Sequence, residues 1–143
     1  MKCCGWYPDY LVRLFHKERT NFVDSKQHAS VPTDNTLKLN ADIEHYSYQN
    51  IGELFAKPGR NFSGRSAKIM YENGKKVNAF APFSHAIWTF IRGYFFRKGI
   101  FYGLDGLTIS LASSCAVYLK YAKLIEYQRD PKVREAEDFD EVW

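Results

Sequence analysis

Leu37-Lys-Leu-Asn-Ala-Asp-Ile-Glu44 is the stretch that decides the fold class: Leu37, Leu39, Ala41 and Ile43 alternate with Lys38, Asn40, Asp42 and Glu44. Successive side chains of a strand point to opposite faces, so this period of two predicts a strand with one apolar side. It ends in His45-Tyr-Ser-Tyr48. Upstream, Tyr10-Leu-Val-Arg-Leu-Phe15 and Asn21-Phe-Val-Asp24 read as two more strands, joined by the polar Lys17-Glu-Arg-Thr20. Val31-Pro-Thr-Asp-Asn35 carries turn chemistry.

Downstream the period changes. Asn50 with Glu53 forms a capping-box-like start, and Ile51, Leu54 and Phe55 follow at helical spacing. Pro58-Gly59 is expected to interrupt that helix, because proline lacks the backbone donor and clashes with the preceding turn. Helical spacing resumes at Ala67, Met70 and Tyr71 and stops at Asn73-Gly74. Pro82 sits at a favoured first-turn position for a helix carrying Phe83, Ile87, Phe90, Ile91, Tyr94 and Phe95. Gly99 to Gly106 reads as a glycine-punctuated loop, and Leu107 to Tyr127 as a long last helix. The class expected is α+β: strands within 1–48, about three helices within 49–127, and an acidic, mobile tail at 128–143.

The chain has 143 residues, 45% of them apolar and 25% charged, which suits one folded domain. Aromatics are abundant: 11 Phe, 10 Tyr and 3 Trp. The net charge is only +4, but residues 57–123 carry eleven Lys/Arg against Glu72 and Asp105. Such a basic, aromatic segment suits a polyanionic partner such as nucleic acid, anionic lipid or phosphorylated lipopolysaccharide, or else a solvated charged face. The helix with Trp88, Arg92 and Phe95, ending in Arg97 and Lys98, is suited to lie at an anionic membrane surface; its simpler role is to pack on the last helix. The longest uncharged run near the C-terminus, Gly106 to Leu119, is 14 residues, short of the roughly 20 a membrane span needs. No signal sequence is expected at the start, because Met1 to Tyr10 has no apolar run and a Pro-Asp pair interrupts it. The three cysteines include adjacent Cys3 and Cys4, which make neither a metal half-site nor a redox pair. Cys115 reads as a core residue, and the compartment expected is the reducing cytoplasm.

His16, His28, His45 and His85 have neither the mutual spacing nor the cysteine neighbours of a zinc site. Phosphate-loop, dinucleotide and nucleophile-elbow motifs are missing from the sequence. Asp138-Phe-Asp140 could in principle hold a hard cation, but it lies in the acidic tail rather than at the end of a buried strand, so no metal is assigned within this chain.

Several phrases, in order, carry a resemblance. They are Trp6-Tyr-Pro-Asp-Tyr10, Arg13-Leu-Phe15, His28-Ala-Ser-Val31 and His45-Tyr-Ser-Tyr48, then Ser66-Ala67, Gly74-Lys-Lys76, Phe101-Tyr-Gly-Leu-Asp-Gly-Leu107 and Lys120-Tyr-Ala-Lys-Leu124. Together, from about Cys4 to Glu126, they resemble the C-terminal half of family 2 inverting glycosyltransferases of the GT-A type, specifically the lipooligosaccharide-core β-1,4-glucosyltransferases. The resemblance implies a partial GT-A fold, UDP-glucose as donor and a lipid-linked core oligosaccharide as acceptor, met by Trp6, Asp9, Arg13 and His45. It implies that the nucleotide-binding half, with its divalent metal (Mg or Mn), is missing here, so no cofactor belongs to this chain. It places the protein in the cytoplasm, peripheral to the inner membrane, with no nucleic-acid partner.

Inverting transfer needs a carboxylate to take the acceptor hydroxyl's proton. Where the family carries that acid this chain has Ala29, which cannot accept a proton, with His28 beside it as a substitute base. Together with Pro58-Gly59 and Gly64, this suggests a truncated, inactive gene product. A second class of function is a non-catalytic module that binds membrane surfaces or polyanions.

Overall fold

Asn50 begins the helical part. Its side-chain carbonyl accepts the Glu53 N–H at 2.9 Å, and the Glu53 carboxylate accepts the Gln49 N–H at 3.1 Å. The first bond satisfies one of the donors that a helix start leaves open, and the second ties the residue before the cap to the first turn. The computed structural model describes residues 4–5, 10–12, 14–20, 31–32, 35–41, 43 and 48–136. In order, the elements are α1 (Ile51–Lys57), a π-helical turn (Pro58–Phe62), α2 (Ser63–Glu72), α3 (Ala81–Ile91), a second π-helical turn (Arg92–Phe96), a 3₁₀ turn (Gly99–Tyr102), α4 (Gly103–Arg129) and α5 (Pro131–Ala136).

No strand forms among the described residues, so the expected α+β class, with a few strands of a partial GT-A fold, is overturned in favour of a helical architecture. The alternating segment at 37–43 shows why. Leu37, Leu39 and Ile43 are 94%, 67% and 68% exposed. Alternation yields a strand only where a neighbouring edge takes the backbone groups and a core covers the apolar side. The described part of 10–15 is likewise irregular, with Leu14 exposed. The expected strand at 21–24 lies outside the described residues.

The chain divides into two units, Pro8–Ser47 and Met1–Tyr7 with Tyr48–Trp143. Within the first, the His16 carbonyl accepts the N–H of Arg19 and of Thr20, making the turn expected at 17–20. Thr20 Oγ1 donates to the Pro32 carbonyl at 2.8 Å, and Lys38 Nζ lies 4.5 Å from the centre of the Tyr10 ring.

In the second unit, Pro58 does not end its helix. The backbone widens into a π-turn in which the Pro58 carbonyl accepts from the Ser63 N–H. A widened turn accommodates the donor that proline lacks. The helix stops instead at Asn73-Gly74, with Gly74 at φ +70°. Next, the Asn78 side-chain oxygen accepts the N–H groups of Phe80 and Ala81, capping α3, and Pro82 occupies its first turn as expected. After the second π-turn, Lys98 at φ +62° reverses the chain. The expected loop at 99–106 is the 3₁₀ turn plus the start of α4. The expected mobile tail includes α5 at 131–136.

α3 and α4 pair antiparallel. Ser114 Oγ donates to the Ala86 carbonyl at 2.8 Å, Gly93 lies against Ser110, and Gly106 against the Gly99 backbone. On its other side α4 receives α1, through Leu54 against Ile109 and Ala112, with Cys4 in the same cluster. It receives α2 through Ala67 against Leu124 and Tyr127, all fully buried. Cys115 is exposed rather than a core residue.

Candidate functional site

Small residues make the closest backbone approaches along the hairpin: Ala86 with Ser114, Gly93 with Ser110 and Gly99 with Gly106. Small side chains let two backbones approach closely, and the large apolar side chains are then displaced to the outside. The aromatic stripe of α3 packs on the last helix only in part: the Phe83 ring meets Tyr118 edge-on with centres 5.2 Å apart, while much of the stripe stays open to solvent. Phe83, Ile87 and Trp88 are each more than half exposed. The surface continues around the reversal with Phe95, Phe96, Phe101 and Leu104, the last three at 72%, 81% and 76% exposure. Arg92, Arg97 and Lys98 are exposed on the same end of the hairpin, with Asp105 the one acid among residues 81–119.

Five residues read from the sequence as a membrane-facing group, Trp88, Arg92, Phe95, Arg97 and Lys98, thus fall on one end of one hairpin. The π-turn alters their register. It closes with the Arg97 N–H donating to the Arg92 carbonyl, five residues back. The extra residue brings Phe96, rather than Phe95, beside Trp88, with ring centres 6.3 Å apart. Phe101 and Leu104 were missed because the glycines around them read as a loop, and Phe96 because the π-turn shifts the register. The paired aromatics Phe95-Phe96 and Phe101-Tyr102 were the available signal.

The hairpin's second helix, with the 3₁₀ turn before it, forms a 31-residue run from Gly99 to Arg129. By length and composition it is long enough to cross a membrane. The packing limits that use. From Ile109 onward α4 is flanked by α1 and α2, which carry Glu53, Lys57, Arg65, Lys68 and Glu72. The apolar end that α1 and α2 leave uncovered is the turn and the first residues of α4.

Elsewhere, His85 stacks on Tyr121 with ring centres 4.2 Å apart, and Lys120 Nζ lies 4.7 Å from the centre of the Tyr121 ring. Burial, helped by the nearby Lys75 charge, holds Lys120 below the usual lysine range. Among the described residues no three His, Cys, Asp or Glu side chains converge on a possible metal position. The sequence-derived acceptor residues Trp6, Asp9, Arg13 and His45, and the base position Ala29 with His28, lie outside the described residues.

What the described geometry defines is a helical module with an outward apolar and basic surface. Its relatives supply the next step. The chain is 32% identical over 125 residues to an uncharacterized glycosyltransferase of Rickettsia felis, covering 80% of this chain and 44% of that protein. It is 31% identical over 123 residues to one of Rickettsia prowazekii, covering 79% and 42%. It is 30% identical over 140 residues to one of Rickettsia conorii, covering 91% and 49%. The chain is thus related in sequence to proteins named as glycosyltransferases, and it spans less than half the length of these relatives. No family model matches the chain, and no solved structure matches it.

Proposed function

We propose that this chain is the acceptor-side part of a glycosyltransferase that transfers a hexose to a lipid-linked acceptor. The observation that carries the reading is identity near 30% across four-fifths or more of the chain to the rickettsial glycosyltransferases. The finer features rest on the ordered motifs: glucose as the hexose, UDP-glucose as donor, and the lipopolysaccharide inner core as acceptor. The donor half and its divalent metal would then be supplied by sequence corresponding to the rest of the relatives' length. A protein acting on a lipid-linked sugar works at the membrane, and the exposed surface at Trp88, Arg92, Phe95, Arg97 and Lys98 favours the cytoplasmic face of the inner membrane.

The test is a hybrid in which this chain replaces the matching segment of the Rickettsia felis relative. Incubated with truncated lipopolysaccharide and a divalent metal, it is expected to bind UDP-glucose in preference to UDP-galactose and GDP-mannose. Label transfer shows whether Ala29 leaves any activity. A folded hybrid that binds none of the three donors would defeat the reading.

A further inference from the structure

We propose that the end of the α3–α4 hairpin, from Phe95 to Leu104, inserts into the headgroup region of an anionic bilayer as an interfacial wedge without crossing it. This deepens the membrane-side reading above and rests on it only for the choice of an anionic leaflet; the glycosyl transfer itself is not needed.

Three separate observations point the same way. Glycine, alanine and serine contacts hold the hairpin's backbones close, and although Phe83 reaches Tyr118 of α4, Trp88, Phe95 and Phe96 stay outside and more than half exposed, an arrangement that suits apolar surroundings there. Large apolar side chains stand exposed at the turn: Phe96, Phe101 and Leu104 are each more than 70% exposed. Monomeric soluble proteins seldom show a contiguous apolar patch of this kind without a partner. The charges beside the patch choose lipid over another apolar protein surface. Arg92, Arg97 and Lys98 are exposed around it, and long basic side chains can keep their stems in the apolar layer while their heads reach lipid phosphates.

The same packing sets the depth. From Gly103 to Ile109, where α1 begins to cover α4, the helix rises on the order of 10 Å, at about 1.5 Å per residue. That matches the roughly 5–10 Å at which interfacial helices lie. Deeper entry would drag the charged helices α1 and α2 into hydrocarbon. Crossing is thereby disfavoured even though the apolar run of α4 is long enough.

The test is co-sedimentation of the full chain with vesicles of phosphatidylcholine alone or with phosphatidylglycerol. The wild-type chain is expected to bind the anionic vesicles, and more weakly at high salt. Combining Phe96→Gln, Phe101→Gln and Leu104→Gln should lower binding by roughly tenfold or more, since each removes apolar area that would otherwise be buried. Because these side chains are exposed, helicity by circular dichroism should be unchanged. Leu37→Gln with Leu39→Gln, equally exposed but on the other unit, should leave binding intact. Absence of wild-type binding, or equal binding by the triple variant, would overturn the wedge. So would wild-type self-association that the triple variant abolishes in the absence of vesicle binding, because a second copy would then cover the patch. Donor binding by the hybrid is scored separately, so either proposal can fail alone.

Discussion

The Ser63 hydroxyl lies 2.7 Å from the Ala116 carbonyl, 53 residues further along the chain, and 2.9 Å from the carbonyl of Pro58. Ser63 is fully buried at the exit of the first π-turn. One side chain therefore joins the widened turn to the middle of α4. Replacing it by alanine would strip a buried carbonyl of its side-chain donor. Ser63→Ala is expected to cost about 1–3 kcal/mol, read as a lower urea midpoint with an unchanged slope. A midpoint equal to wild type would show that the tie contributes nothing.

Gly106 supplies a second test of the packing. A Cβ at this position would overlap the carbonyl oxygen of Gly99, a backbone atom that cannot rotate away. Gly106→Ala should therefore destabilise by roughly 1–3 kcal/mol, despite alanine's better helix propensity. At Gly74, a substitution meets open space, but φ is +70°. Gly74→Ala should lose stability through backbone strain alone. Thermal denaturation of the two variants checks both, and a gain in melting temperature for Gly106→Ala would contradict the close approach.

Glu53 gives a pH dependence of known sign. Its carboxylate accepts from Lys57 at 2.9 Å and from the Gln49 N–H, and these bonds hold it below its ordinary value of 4.5. A depressed carboxylate contributes stability that is fully present above the unfolded value. That contribution is lost as the pH falls through the folded one. Glu53→Gln should lower the melting temperature slightly at neutral pH. The two proteins should converge as the pH drops well below 4.5. Glu53 is only half-buried, so added salt should narrow the gap as well. A gap that widens in acid would reverse the assignment.

These residues also show what the sequence makes legible. The Asn50–Glu53 start, the Asn73-Gly74 stop and Pro82 in the first turn of α3 all depend on neighbours within a few positions, and each was readable. Pro58 misled because its effect depends on Ser63 and on the α4 backbone, which sequence spacing does not show. Leu37 to Ile43 misled more deeply: alternation describes a strand's faces but cannot supply the second strand or the core. At the candidate membrane surface, composition found Trp88, Arg92, Phe95, Arg97 and Lys98. It could not find Phe96, because the extra residue of the π-turn shifts the register by one.

The last prediction concerns Ala29, where the resemblance expects the general base. An inverting transfer needs a group that removes the acceptor hydroxyl's proton as the sugar carbon is attacked, and alanine has no such capacity. In the hybrid with the Rickettsia felis relative, donor binding should be intact and transfer nearly absent. Ala29→Glu should then raise transfer by roughly 10²–10⁴-fold, the usual scale for a positioned base. Donor affinity should hardly move, since the base serves the acceptor, so the gain should fall in kcat. The gain should also follow pH as the ionisation of a single carboxylate does, being lost in acid. A hybrid already active with Ala29 and indifferent to Ala29→Glu would place the base elsewhere. His28→Ala would then decide whether the imidazole beside it serves instead: loss of that activity would assign the proton transfer to His28, and its retention would remove both residues from the chemistry.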